Sequence, residues 1–384
     1  MDKVIFVDDE SAILEGLRRG LRRKRGTWEM HFFERAEEAL DYIRKFGVDV
    51  VVSDMRMPKM NGAEFLQSVQ QIRPDAVRLA LSGYADSQLI LESAHAIHQF
   101  ISKPTSINTI TQTIERSVKL QAALNDPELQ NYVGGLKALP TMPHVYDEIS
   151  QLFTKETYSQ RELVEIIEKD MGFTATVLRI VNSDFFGNFG NITSISDAVN
   201  MLGPETLHNI LLSENVFAQF ENVDTDELEH LNYISKLISA LAHKFARSAA
   251  LSERATDHAQ LAGMVCTMGD MLKLDAGTPN GTVSSPTLTA YLLKLWSMPD
   301  TLIEAVLIHR DPVCSSFAAR LHDVSAADCV RAAWFAYDDY LTIDERARHG
   351  MEVPLRKTLE ALAKRKELAN AWYDHVSATV LADY

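Results

Sequence analysis

The pattern of apolar positions changes near residue 125. Before that point, short apolar runs alternate with amphipathic stretches, and after it only the helical period persists. The apolar runs predict five β-strands, at 3–7, 29–33, 49–53, 77–81 and 98–101. The intervening stretches carry apolar residues at helical spacing and predict helices at 11–24, 35–46, 62–72, 86–95 and 106–124. The first part of the chain is therefore expected to repeat a strand followed by a helix five times.

The predicted strands are apolar on both faces, as expected of a parallel sheet that helices cover on two sides. We therefore expect the α/β class, with a doubly wound five-stranded parallel sheet. Ligands of such sheets bind beyond the carboxyl ends of the strands. Five polar side chains directly follow predicted strand ends and are expected to converge there: Asp8, Asp9, Asp54, Ser82 and Lys103.

The second part of the chain is predicted to be all-α. Stretches such as ELVEIIEKDMGFTATVLRIVNS and LNYISKLISALAHKFARSAA read as helices bounded by Pro, Gly, Ser and Asn. The segment 125–143 has three prolines and a Gly-Gly pair and is the expected junction, and 275–287 is expected to be a loop. These patterns predict four regions: a first domain at 1–122, a junction at 123–143, a helical domain at 144–325 and a helical extension at 326–384.

Composition limits the classes of function. The chain has 384 residues, which favours more than one domain, and a hydrophobic fraction of 46%, which can supply real cores. Its 53 acidic and 38 basic residues give a net charge of -15, which disfavours binding to nucleic acid or anionic membranes. The basic run RRGLRRKR at 18–25 has helical spacing and is interpreted as a solvated helix face.

Cysteine usage and hydropathy indicate the compartment. Cys266, Cys314 and Cys329 are far apart and lack CxxC spacing, which fits a reducing cytosol better than a disulfide or zinc framework. The first apolar run is too short for a signal peptide, and no stretch reaches the ~18 apolar residues of a membrane span. The sequence therefore predicts a soluble cytoplasmic protein.

The acidic residues at the first and third strand ends suggest a metal site. Asp8, Asp9 and Asp54 together would make an oxygen-rich pocket suited to Mg²⁺, whose charge would offset their mutual repulsion. The segments FVDDES, VVSDMRMPKMNG, ALSGY and FISKP, in this order, resemble the receiver domain of two-component response regulators over residues 1 to about 122. The resemblance implies a flavodoxin-like sheet with strand order 2-1-3-4-5.

The resemblance also implies roles for individual residues. Asp54 would accept a phosphoryl group from a sensor histidine kinase or a phosphotransfer protein. Asp8 and Asp9 would hold Mg²⁺ together with Asp54 and the main-chain carbonyl of Arg56. Taken singly, each of these residues also fits a plain structural role, such as a helix cap or a turn.

Three further positions complete the implied receiver site. Lys103 would balance the charge of the phosphoryl oxygens, Ser82 would donate its hydroxyl to one of them, and Phe100 would be the aromatic switch. Phe100 stands where the family often has Tyr, so it lacks a hydroxyl and would signal by burial alone. Gly62 is interpreted as a helix start or a tight turn rather than as a ligand contact.

The helical part resembles the HDOD domain, a relative of HD-type phosphohydrolases, over about residues 133 to 325. The resemblance is carried by LKALPTMPHVYDEI, IIEKDMGFTATVLRIVNSDFFG, ITSISDAVNMLGPETLHNIL, LAGMVCTMGDMLKL and LWSMPDTLIEAVLIHRDP. HD hydrolases need an adjacent His-Asp pair to hold metals, and Cys266-Thr267 stands in its place. Asp270 follows Gly269 where a lysine is frequent, and His309-Arg310 replaces a frequent His-His pair.

These replacements predict that the helical domain binds no cofactor and is not an enzyme, because a thiol and a hydroxyl cannot build a hard dimetal site. His309 and His243 are interpreted as satisfied interface residues, and Asn182-Ser183 as a helix cap. Aromatics of the C-terminal extension are interpreted as core residues: Trp334, Phe335, Tyr337, Tyr340, Trp372 and Tyr373.

The resemblances together predict a response regulator whose output domain works by contact with an unidentified downstream protein. Two alternatives remain open at this point. One is a phosphorylation-controlled nucleotide phosphohydrolase, and the other is a sensor of a cyclic dinucleotide or small ligand in the cleft near Cys266, His309 and 275–287. Pairing of receivers into a homodimer is also left open.

Overall fold

A computed structural model describes residues 1–83, 96–124, 126–136, 139–155, 157–182, 192–211, 217–218, 224–274, 283–296, 298–310, 325–334 and 337. The chain divides into two compact units. The first comprises Met1–Glu229, Asp270–Ser284 and Tyr291–Pro299. The second comprises His230–Gly269, Ser285–Ala290 and Asp300–Tyr384.

A five-stranded parallel sheet forms the N-terminal part of the first unit. Its strands are β1 (Asp2–Val7), β2 (Trp28–Phe33), β3 (Val50–Asp54), β4 (Val77–Ser82) and β5 (Gln99–Ser102). They pair in the order β2-β1-β3-β4-β5, which confirms the predicted doubly wound α/β fold. The strands β3 and β4 are buried along their whole length, as their continuous apolar runs require.

Amphipathic helices connect the strands and cover both faces of the sheet. They are α1 (Ser11–Gly20), which continues into a 3₁₀ turn at Leu21–Lys24, α2 (Ala36–Phe46), α3 (Gly62–Ile72) and α4 (Ile107–Leu124). The core between α2, α3 and the sheet includes Ile5, Val51, Leu66, Ala80 and Phe100. These helices match the predicted ones closely, whereas the helix predicted at 86–95 lies outside the described residues.

Helices dominate the remainder of the first unit. The predicted junction itself contains a helix, α5 (Pro127–Gly135), which Asp126 caps at its N-terminus. It is followed by α6 (Pro143–Thr154), α7 (Gln160–Ile167), α8 (Met171–Val181) and α9 (Ile195–Leu211). The α9 backbone breaks at Gly203, whose φ of 75° favours glycine. Two residues of β6 (Leu139–Pro140) pair with β7 (Phe217–Ala218).

The second unit is helical in its described part. Its helices include most of α10 (Thr225–Ser248), α11 (Glu253–Val265), the start of α12 (Met268–Lys273), part of α13 (Ser285–Leu295) and α14 (Asp300–Ile308). Residues 326–334 are also helical. Of the predicted loop at 275–287, residues 285–287 belong to α13 instead, and residues 275–282 lie outside the described part of the chain. No described helix combines the length and hydropathy needed to cross a bilayer.

Candidate functional site

The predicted site residues lie at the ends of adjacent parallel strands. Asp8 directly follows β1, Asp54 is the last residue of β3, and Ser82 is the last residue of β4. Lys103 directly follows β5, and its amide donates to the carbonyl of Ser82 at 2.7 Å. Because the carboxyl ends of parallel strands share one edge of a sheet, the four residues lie at the same edge.

Lys103 joins the two acidic positions. Its Nζ donates a hydrogen bond to Asp54 Oδ1 and another, of 3.2 Å, to Asp8 Oδ2. Both carboxylates are buried, with Asp8 1% and Asp54 9% exposed. A buried charge is tolerated only when a partner compensates it, so the ammonium group makes this pair of acids possible. The structure therefore brings Asp8, Asp54 and Lys103 together, as the strand ends predicted.

The pKa values of Asp8 and Lys103 are both raised, so the pocket favours positive charge beside its carboxylates. Desolvation raises the pKa of Asp8 against the opposing effects of the Glu10 amide and of Lys103, and the nearby charge of Asp54 raises it further. Burial alone would lower the pKa of Lys103, but the hydrogen bond and charge of Asp54 outweigh it and raise the pKa. The pocket thus has a carboxylate that is costly to ionise and a lysine that holds its proton.

The loop after β3 fixes the Asp54 side chain. The Arg56 amide donates to Asp54 Oδ2 at 3.1 Å, and the Gly62 amide donates to the carbonyl of Met55 at 2.9 Å. A Cβ on Gly62 would lie 2.0 Å from the Asp54 carbonyl oxygen, so no other residue fits there without moving the backbone. Gly62 thus begins α3 in close contact with the Asp54 backbone, which agrees with its interpretation as a helix start.

Ser82 and Phe100 lie on the adjacent strands β4 and β5, two positions apart in register. The Ser82 hydroxyl is fully buried and has no hydrogen-bond partner among the described residues. A buried donor without a partner is costly, which makes it a candidate to receive an acceptor oxygen. Phe100 pairs with Ala80 in the sheet and is 5% exposed, within the core cluster. The Lys103-Pro104 peptide bond is cis.

The donor set fits a magnesium ion. Asp8 and Asp54 already direct oxygens at one cationic centre, and Mg²⁺ typically uses one or two carboxylates and keeps several waters. Asp9 is exposed and directly follows Asp8 in the chain. Across the part of the chain that the structure describes, no three His, Cys, Asp or Glu side chains form a ready-made metal cage.

In the helical region, the position of the HD pair is filled by structural contacts. Cys266 follows α11 and is fully buried. Thr267 is equally buried, with its hydroxyl 2.6 Å from Ser235 Oγ and 3.3 Å from the Leu231 carbonyl. Both side chains are thus buried, and the Thr267 hydroxyl is bonded within the helical region.

Both ring nitrogens of His309 are engaged. Nδ1 lies 2.6 Å from the Val306 carbonyl and can only donate to it, so Nε2 accepts the 3.1 Å hydrogen bond from Arg310 Nε. Trp334 packs edge-on against the ring, and Arg310 lies over the same indole. The lone pair that a metal would need is therefore already used.

Two other polar positions also serve the local structure. His243 Nδ1 lies 2.8 Å from Gln260 Oε1. Asn182 caps the end of α8 and bonds the chain near Ile192, donating to its carbonyl at 2.6 Å and accepting from its amide at 3.0 Å. Ser183 lies outside the described residues.

The sheet order, with an aspartate pocket at its carboxyl edge, defines the class of receiver domains. The family model described as response regulator receiver domain matches residues 4–115, and the model described as HDOD domain matches residues 139–280. The chain is accordingly a response regulator with an N-terminal receiver domain and a C-terminal HDOD domain.

The matches to curated relatives cover part of this chain. The hydrogenase transcriptional regulatory protein HoxA of Cupriavidus necator is 33% identical over 125 residues, which are 32% of this chain and 25% of that protein. HoxA of Bradyrhizobium diazoefficiens is 28% identical over 172 residues, 44% of this chain and 34% of that protein. The match thus spans about a third or less of these relatives. A crystal structure of an uncharacterized protein from Neptuniibacter caesariensis is 34% identical, covering 32% of this chain and 91% of that one, with a TM-score of 0.30.

Proposed function

We propose that this response regulator is phosphorylated on Asp54 by a sensor histidine kinase or a phosphotransfer protein. The observation that carries the proposal is the shared ammonium group of Lys103, which joins the carboxylates of Asp8 and Asp54 at one edge of the sheet. Phosphoryl transfer asks a protein mainly to position groups and to neutralise charge, and this cluster provides both.

Each residue has a defined part in the transfer. A carboxylate oxygen of Asp54 attacks the phosphorus in line, and the phosphorus–nitrogen bond of the donor phosphohistidine breaks as the new bond to oxygen forms. The imidazole leaves with the electron pair and takes up a proton from solvent. Lys103 neutralises charge on the phosphoryl oxygens, and the unpartnered hydroxyl of Ser82 donates to one of them.

A magnesium ion would be held by Asp8, Asp9, Asp54 and the main-chain carbonyl of Arg56. When bound, it supplies further positive charge next to the phosphoryl oxygens. The local protein geometry supports this assignment, because the Glu10 amide orients Asp8 Oδ1 at 2.9 Å and the Arg56 amide orients Asp54 Oδ2. The phosphorylated Asp54 would then change the surroundings of Phe100.

We further propose that the HDOD domain is a catalytically inactive output module in the cytoplasm, acting through contact with a downstream protein. Thr267 and His309 support this view, since their polar atoms already bond Ser235, Val306 and Arg310. A hydrolytic metal site would have to break these contacts first. The boundaries proposed for the four regions of the chain remain predictions.

Incubation with acetyl phosphate and Mg²⁺ tests the central assignment. The full chain should gain one phosphoryl group by intact mass, and Asp54→Asn should gain none. Asp41→Asn is the matched control, because Asp41 is exposed on α2 and pairs with Arg44 of the same helix. Equal labelling of the Asp54→Asn protein would reject Asp54 as the acceptor.

A further inference from the structure

The basic run at 18–25 has no part in the proposed phosphorylation site. It lies at the end of α1 and in the following 3₁₀ turn, and its five arginines are all exposed: Arg18, Arg19, Arg22, Arg23 and Arg25. None of the five forms an ion pair with another residue that the structure describes, whereas Lys24 between them bonds Glu115. In a chain with a net charge of -15, this segment is therefore a local source of unpaired positive charge.

A cleft of about 650 Å³ lies beside the basic run. All six residues of β2 line it, together with Arg18, Arg25 and Tyr42, among others. Because a strand rises about 3.3 Å per residue, a cleft that follows the whole of β2 is about 20 Å long. This shape suits an extended chain better than a compact ligand.

The strand β2 is an open edge of the sheet. It is the outermost strand in the sheet order, and among the described residues it pairs with β1 alone. The outward amides and carbonyls of an edge strand can pair with another extended segment. Edge strands are commonly protected by lysine, proline or a bulge, but WEMHFF contains neither residue, and its register with β1 runs unbroken from Trp28 to Phe33.

Aromatic rings flank this edge on both faces of the sheet. Phe32 and Phe33 are adjacent in the strand, so their side chains point to opposite faces. The Arg18 guanidinium lies 4.9 Å from the centroid of the Phe32 ring. On the other face, the Tyr42 ring lies 5.5 Å from that of Phe33 and 4.7 Å from that of Phe46, which is 59% exposed. The edge thus offers exposed apolar surface next to cationic groups.

The charges of the cleft favour an acidic occupant. Glu29 is the acidic side chain among the described lining residues, and its Oε1 is already hydrogen-bonded to His31 at 2.9 Å and to Tyr42 at 3.4 Å. Arg18 and Arg25 are left to face the occupant. A second copy pairing through the same edge would bring like charges together. A nucleic acid would extend beyond the basic run over a chain that repels it, and its bases could not use the pairing groups of the strand.

We propose that the open edge of β2 binds an extended acidic segment of a partner protein, which adds to the receiver sheet as a further strand. Carboxylates of that segment would face Arg18 and Arg25, and its alternate apolar residues would cover the aromatic rings. The strand β1 separates β2 from β3, which carries Asp54. The inference therefore stands apart from the proposed phosphorylation and from the proposed output of the HDOD domain.

Fluorescence anisotropy on the full chain tests the inference. The probe is a fluorescein-labelled peptide of alternating glutamate and valine, roughly eight residues long so that it spans β2. We expect saturable binding with a Kd of roughly 100 μM or tighter, as for a small transient interface. Binding should weaken as salt is raised, because surface charges are screened. The same peptide with every backbone nitrogen methylated keeps its charge but cannot donate to the strand, and it should bind about tenfold more weakly or less.

A pair of charge variants locates the site. Arg18→Gln combined with Arg25→Gln removes both arginines of the cleft and should weaken binding about threefold to thirtyfold. Arg44→Gln combined with Arg161→Gln is the matched control, because it removes the same charge from two exposed arginines that do not line the cleft. Urea midpoints close to that of the wild type should accompany both changes, since all four side chains are exposed.

The other occupants give different results. Unchanged peptide binding in the Arg18 and Arg25 double variant, or equal binding of the methylated peptide, would overturn strand addition at β2. A labelled oligothymidine that binds more tightly than the peptide, and is lost in the same variant, would assign the cleft to single-stranded nucleic acid. Absence of saturable peptide binding, with protection of β2 amides from hydrogen exchange that rises with chain concentration, would assign the edge to a second copy. Each of these results would reject the acidic partner.

Discussion

Lys103 donates a hydrogen bond of 3.2 Å to Asp8, a carboxylate that is 1% exposed and whose pKa is raised chiefly by desolvation. The site thus carries a charge that the folded protein disfavours. We expect Asp8→Asn to raise the free energy of unfolding in EDTA by about 0.5–2 kcal/mol, as for other substitutions that relieve functional strain. Urea denaturation measures the difference. Loss of phosphorylation should accompany the gain.

The pH dependence of this gain follows from the sign of the shift. Because the pKa of Asp8 is higher in the folded state than in the unfolded state, the ionised carboxylate lowers the free energy of unfolding by its full amount at pH values above the folded pKa. This loss disappears as pH falls below the ordinary value of 3.8, where Asp8 is protonated in both states. The advantage of Asp8→Asn in EDTA should therefore be constant near neutrality and shrink on acidification. Adding Mg²⁺ should stabilise the wild type and leave the variant unchanged. A variant less stable than the wild type at neutral pH in EDTA would contradict the prediction.

Lys103→Met tests the neutralising cation while keeping much of the side-chain stem. We expect the rate of labelling by acetyl phosphate to fall about tenfold or more, because a hydrogen bond to a charged group contributes about 1.5–3 kcal/mol. The raised pKa of Lys103 keeps it protonated across the neutral range, so the effect should not vary between about pH 6 and 9. Lys119→Met, on the exposed face of α4, is the control. Labelling at the wild-type rate would remove Lys103 from the proposed site.

The receiver part of the fold could be predicted because its signals are local. Continuous apolar strands specify a parallel sheet, and the polar residues that end them must share an edge, so Asp8, Asp54, Ser82 and Lys103 could be found together. The burial of Arg78 could not be predicted from the strand segment VRLAL. A buried guanidinium needs hydrogen-bond acceptors, and these include carbonyls distant in sequence, such as that of Gly134. The partner of Thr267 is likewise on another helix, at Ser235.

Gly62→Ala tests the loop that positions Asp54. Its Cβ would lie 2.0 Å from the Asp54 carbonyl oxygen and 2.8 Å from Met55 Cα, so the backbone must shift. We expect a loss of about 1–3 kcal/mol in stability together with slower labelling. Gly16→Ala is the matched control, because nothing lies within 4 Å of its Cβ on α1, and alanine should stabilise that helix by about 0.5–1 kcal/mol. Unchanged labelling of Gly62→Ala would show that the loop tolerates the shift.

His309→Ala tests whether this histidine is structural. The variant removes the hydrogen bonds with Val306 and Arg310 and the contact with Trp334, so we expect a loss of about 1–3 kcal/mol by urea denaturation. His230→Ala, exposed on α10, should change nothing. Metal analysis of the purified proteins checks the alternative. Stoichiometric manganese or iron in the wild type that is lost in His309→Ala would show that His309 binds a metal and would favour a hydrolytic site.

Substitutions of Asn182 test the polar contacts between the end of α8 and the segment at Ile192. Its amide is 1% exposed and donates to the carbonyls of Leu178 and Ile192 at 3.0 and 2.6 Å. Asn182→Ala leaves the Ile192 amide without this acceptor, and we expect a loss of about 1–3 kcal/mol. Asn182→Asp should cost more than alanine at neutral pH, because it places a buried negative charge against two carbonyls.

The stabilities of Asn182→Ala and Asn182→Asp, compared with that of an exposed control, distinguish a structural cap from a ligand contact. Asn108→Ala, exposed near the start of α4, should unfold at nearly the wild-type urea concentration. Acidification should narrow the gap between Asn182→Asp and Asn182→Ala, because protonation removes the buried charge and restores one donor. If both Asn182 variants unfold at the same urea concentration as Asn108→Ala, the Asn182 amide contributes nothing to the stability of the fold. Its polar atoms would then have to be explained by a bound molecule instead.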